Sequence, residues 1–113
     1  MSDRKYKLYL EDIHLSMGRI AEYIQEHDYS TFIKDHKTVD AVIRNFEIIG
    51  EAAKNIPENI KQKYSQVPWE EMYYLRNKVS HEYFGVDYEI IWDVAINYLP
   101  DNRNHIEMIL EKE

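Results

Sequence analysis

The sequence has no cysteine, only three glycines and three prolines, and no run approaching the roughly 20 apolar residues that a membrane span needs. Without cysteine there is no disulfide framework, no thiolate zinc site and no thiol nucleophile. Gly18, Gly50 and Gly85 stand far apart, so no glycine-rich phosphate loop can be drawn through them. So few turn formers also argue against a sandwich or barrel, which needs glycine and proline at its corners. The opening stretch, MSDRKYKLYLEDIH, contains neither an apolar run of leader-peptide length nor a small-residue cleavage site. These absences point to a cytoplasmic protein with no membrane partner.

What is present fits one domain of 113 residues, with a core expected over about 6–110. The formal charge is −7, which removes bulk electrostatic attraction to nucleic acid. The charge is uneven. Residues 1–53 and 82–113 are net acidic, while residues 54–81 hold five Lys/Arg against three Asp/Glu. A phosphate-bearing ligand would find its best local potential in that middle stretch. An ordinary fluctuation of surface charge explains the same numbers.

Apolar residues recur at helical spacing along most of the chain. Tyr6, Leu10, Ile13, Met17, Ile20 and Ile24 predict one face of a helix over about 5–26. A break follows at residues 27–30, where Asp28 or Ser30 can cap a short helix through Phe32 and Ile33. Val39, Val42, Ile43, Phe46, Ile49, Ala53 and Ile56 predict a helix over about 38–55, ended by Pro57. A short helical piece is expected at 58–64, and Pro68 can open the next helix, from Trp69 to Ser80 or beyond. Trp69, Met72, Tyr73, Arg76, Val79 and Tyr83 lie near one face of that helix, and Gly85 is expected to stop it. Asp87 would cap a helix over 88–98 with Ile91, Val94, Ala95 and Tyr98 inward. Pro100 starts or kinks the last helix, which carries Ile106, Ile109 and Leu110. Five or six helices with short connections, and no convincing strand, define an all-α antiparallel bundle.

The side chains suited to chemistry are few. His14, His27, His36, His81 and His105 show no metal-ligand pairing. Glu11 and His14 make a Glu-x-x-His step, but a carboxylate-bridged metal centre needs a second such step, and there is none. His27, His36 and His105 stand in polar surroundings and read as surface residues. The carboxylates Glu70, Glu71, Asp101 and Glu107 read as a solvated face.

Arg76 is different, because it falls where the helical period calls for an apolar residue. An arginine there must be paired or lie at an interface. His81 is five residues on, about 140° away around an ideal helix. One regular helix therefore does not aim both at one small phosphate. Either the helix ends near His81 or a second copy of the chain completes the site. The pair suits metal-independent RNA cleavage. A histidine can take the 2′-hydroxyl proton or protonate the leaving oxygen. An arginine offers its fork of donors to phosphate oxygens as charge builds. An arginine–carboxylate pair plus a helix-terminal histidine is the plain alternative.

The segment Arg76-Asn-Lys-Val-Ser-His81-Glu-Tyr83 fits Arg-x4-His-x-Tyr and resembles the signature of HepT-like proteins of the HEPN superfamily. The flanks agree. Asp40-Ala-Val-Ile-Arg-Asn-Phe-Glu-Ile-Ile-Gly-Glu-Ala is similar to that family's second long helix, and Pro68-Trp69 precedes the motif. Tyr83-Phe-Gly-Val-Asp87, with Ile91-Trp92 after it, resembles the stretch that follows. One departure is Tyr74-Leu75 before Arg76, where a small residue and Met are more usual. The resemblance implies a homodimeric all-α bundle acting as the endoribonuclease toxin of a toxin–antitoxin pair, with no cofactor. Its implied partners are an RNA substrate and a minimal nucleotidyltransferase antitoxin, which silences the toxin by transferring AMP to the motif tyrosine, here Tyr83. Arg76 and His81 would be catalytic, with Asn77 and Lys78 supporting or contacting substrate. The alternative is a non-catalytic helical dimer that binds a nucleotide or the nucleotidyltransferase.

Overall fold

The computed structural model describes the backbone of residues 3–81 and 87–113, and the side chains of residues 5–75 and 87–113. Seven α-helices and one π-helical turn account for nearly all of the described chain, and no strand occurs among these residues. Helix α1 spans Asp3–Ile24, α2 Tyr29–Lys34, α3 His36–Lys54, α4 Glu58–Lys63 and α5 Trp69–His81. Helix α6 spans Tyr88–Asp93 and α7 Leu99–Lys112, joined by the π turn Val94–Tyr98.

The starts and stops follow local chemistry. Asp28 caps α2 through a capping box: its carboxylate accepts from the Thr31 N–H at 2.8 Å, and its own N–H donates to Thr31 Oγ1 at 3.0 Å. Asp35 caps α3 by accepting from the Thr38 N–H at 3.2 Å, so that helix begins at His36, two residues before the position the apolar period suggested. Asp87 caps α6 as expected, accepting from the Glu89 N–H at 2.9 Å.

The predicted helix over 88–98 proves to be two elements. Its α-helical turns end at Asp93, and Leu99 N–H reaches back five residues to the Val94 carbonyl. The wide turn answers Pro100, which has no N–H and whose ring crowds the carbonyl four residues earlier. Proline in the first turn of α7 is well tolerated. The extra residue in the turn also rotates the face: Ala95 is buried, but Tyr98, expected inward, is 58% exposed.

The six apolar positions predicted for α1 and the seven predicted for α3 and its exit are all buried. Helix α3 is central, packed against both α1 and α5, and α7 lies against the other side of α1. Phe32 fixes α2 to α6, its ring centroid 5.0 Å from that of Trp92. Short connections make the bundle antiparallel. The C-terminal ends of α1 and α5 and the N-terminal ends of α3 and α7 therefore share one end.

A candidate RNA-cleavage site on the fifth helix

Helix α5 is anchored at its start and carries the candidate residues at its end. Trp69 is buried and donates its indole N–H to the Tyr64 carbonyl at 3.1 Å. The Met72 N–H bonds the Pro68 carbonyl at 3.0 Å, so Pro68 stands just ahead of the first turn rather than within it. Glu70 and Glu71 place negative charge at the positive end of the helix dipole. Met72 is buried in the core and Tyr73 is half-buried, with the Lys54 ammonium 5.5 Å from its ring centre. These contacts fix the position of the two turns that follow.

Those turns hold Arg76, Asn77, Lys78 and His81, and the backbone stays helical through His81. Arg76 and His81 thus lie on the same helix, about 7.5 Å apart along its axis and about 140° apart around it. The site residue Tyr83 and the expected stop at Gly85 lie outside the described residues. Helix α5 packs against α3, and Met72 and Leu75 line one cavity with Phe46 and Ile49, on the middle segment of α3 around Phe46.

Asn45 belongs to that segment of α3, and the helical period had passed over it. It is 6% exposed; its Nδ2 donates to the Ala41 carbonyl at 2.8 Å, and its Oδ1 is buried without a hydrogen-bond partner. The signal was available, since Asn45 is three residues after Val42 and four before Ile49, both on the core stripe. A helix packed on two sides buries a wider arc than one stripe shows.

The locally basic window is divided between helices, with Lys54 at the end of α3. Lys61 and Lys63 lie on α4, before the start of α5, whereas Arg76 and Lys78 occupy its last turns. Lys63 is also paired with Glu113 at 2.9 Å, so a residue of the acidic segment neutralises part of the basic one.

Two histidines assigned to the surface are half-buried. His27 contacts Thr31 Oγ1 at 3.0 Å and lies 3.6 Å from the Asp35 carboxylate, and His105 has a buried Nδ1 without a partner. His36 is exposed as expected. Among the described residues no three of His, Asp and Glu converge to hold a metal ion, and no helix is long and apolar enough to cross a membrane.

Comparison with known proteins assigns the chain to a family. The family described as ribonuclease HepT-like matches residues 13–109. An RNase candidate of Methanocaldococcus jannaschii is 45% identical over 98% of this chain and 92% of its own. The probable ribonuclease HepT of Thermococcus cleftensis is 42% identical over 94% of this chain and 96% of its own. No solved structure matches. The chain belongs to the ribonuclease HepT-like family.

Proposed function

We propose that this protein is a metal-independent endoribonuclease, the toxin of a toxin–antitoxin pair, cutting RNA at a site built on Arg76 and His81. The observation that carries the reading is the Arg-x4-His-x-Tyr motif of the sequence, whose Arg76 and His81 fall on the last turns of α5, in a chain belonging to a ribonuclease family. The substrate's own 2′-oxygen attacks the adjacent phosphorus and the 5′-oxygen leaves. His81 takes the 2′-proton or protonates the leaving oxygen. Arg76 holds the phosphate oxygens as charge grows on them. Asn77 and Lys78 support Arg76 or contact the substrate.

The active form is a homodimer. The 140° between Arg76 and His81 supports this, because a second copy supplies the group that one helix cannot aim at the same phosphate. The partner is a minimal nucleotidyltransferase. The Tyr83 phenol oxygen attacks the α-phosphorus of ATP, pyrophosphate leaves, and the bulky, charged adenylyl group blocks the nearby site.

Expression of the chain alone tests the reading. The wild type is expected to arrest growth and His81→Ala to be harmless, with both proteins folded by circular dichroism. Harmless wild type whose purified dimer leaves total RNA intact would exclude the enzyme and leave a binding module. Incubation with the partner and ATP should add the mass of AMP to the peptide holding Tyr83.

A further inference from the structure

The seam between α1 and α7 holds an arginine in an unusual setting. A Cβ at Gly18 would stand 3.0 Å from Arg103 Nη2, 3.3 Å from its Cζ and 3.7 Å from its Nε. The guanidinium therefore lies against α1 at Gly18, and a Cβ there would make it give by a few tenths of an ångström. Glycine inside a helix is destabilising relative to alanine.

Arg103 is half-buried, yet among the described residues no carboxylate oxygen lies within 4.0 Å of it. Arg19, exposed beside Gly18, and His14, one turn earlier, line the same depression. The only acidic residue lining it is Glu22, which among the described residues makes no ion pair within 4.0 Å. On the other side of Arg103 a second depression presents Gln25, His27 and Asn104. Two arginines and one glutamate line the first depression, and the half-buried Arg103 makes no ion pair there among the described residues, in a chain of net charge −7. A phosphate supplies that pairing, because a guanidinium forks onto two phosphate oxygens.

We infer that Arg103, with Arg19 and His14, is a binding site for the phosphodiester backbone of single-stranded RNA. The site is separate from the motif helix but at the same end of the bundle as its last turns. The choice of RNA rests on the ribonuclease reading. The site would hold a strand at a distance from the cleaved bond, which a chain lacking bulk positive charge requires.

The test is binding of a labelled 2′-O-methyl RNA of about 20 nucleotides to the full-length protein over a range of salt. The methyl groups block the 2′-oxygen, so the probe keeps every phosphate and cannot be cut. Arg103→Met keeps the aliphatic stem on α1 and removes the charge. It should weaken binding about fivefold to tenfold and lower the salt slope by roughly 0.7. Glu22→Gln should tighten binding. Gly18→Ala should weaken it although alanine favours the helix, so that affinity falls while the melting temperature does not. Wild type that ignores the probe, or Arg103→Met and Gly18→Ala variants with wild-type affinity and slope, overturns the inference. Failure of the ribonuclease reading appears separately, as natural RNA left uncut.

Discussion

The Tyr6 hydroxyl donates to a Glu113 carboxylate oxygen at 2.8 Å, joining the first helix to the end of the last across 107 residues of sequence. The other oxygen accepts from Lys63 Nζ at 2.9 Å and from the Tyr64 hydroxyl. Lys63 first, then the two tyrosines, hold the Glu113 carboxyl down to about 2 from 4.5. One side chain thus ties α1, α4 and α7 together.

The sign of its pH dependence follows. A carboxyl whose pKa is depressed on folding contributes stability above its unfolded value and loses it as pH falls toward its folded one. Here that window runs from about 4.5 down to about 2. Glu113→Gln should melt below wild type at pH 7, and the gap should close as pH drops below about 4.5. Melting curves at pH 7, 5, 4 and 3 check this; a gap that stays constant across the series would count against it.

Phe32 is fully buried and packs against Trp92, and it is the main apolar anchor of a six-residue helix too short to persist alone. Phe32→Ala should cost about 3–5 kcal/mol, from lost transfer energy and the cavity left behind. Urea unfolding measures it. A loss under about 1 kcal/mol would mean that α2 does not depend on this contact.

How much of this was legible in advance differs by region. On α1 and α3 every predicted core position is buried, because a long amphipathic period fixes a face whatever lies against it. Tyr98 went the other way because the π turn before Pro100 adds a residue, and a fixed 100° step cannot anticipate that. Asn45 was missed because α3 packs against two helices, and a reading of one apolar stripe does not see the wider arc that this packing buries. That part of the basic window is neutralised was not legible, because Lys63 and Glu113 meet only through the fold. Arg103 gave no signal at all, since its seat is made by Gly18, 85 residues earlier. The motif was readable by its resemblance to a family signature, while the apolar period placed only its helix, which runs where expected.

At the proposed site, charge and shape can be separated at Arg76. Lysine keeps the positive charge and loses the planar fork that grips two phosphate oxygens. Arg76→Lys should retain measurable cleavage but lower kcat more than it raises KM, because the fork is most valuable as charge develops in the transition state. His81→Ala should lower kcat by about 10²- to 10⁴-fold, the usual range for a positioned acid or base. Single-turnover cleavage of a short RNA with each variant gives both values. Arg76→Lys at wild-type kcat would remove the fork from the mechanism.

The helix geometry makes one demand that neither single variant tests. If Arg76 of one copy acts with His81 of the other, the inactive variants Arg76→Ala and His81→Ala must rescue each other. In a heterodimer of the two, one of the paired sites keeps both its arginine and its histidine, while the other loses both. Subunit exchange in an equimolar mixture makes about half the dimers mixed, so activity should return to about a quarter of wild type. The two proteins are mixed, allowed to exchange, and assayed on the same RNA as each alone. Rescue requires a site shared across the dimer. A mixture as inactive as its components, with exchange verified by mass, would place both groups on one chain and require the backbone after His81 to close the 140° between them.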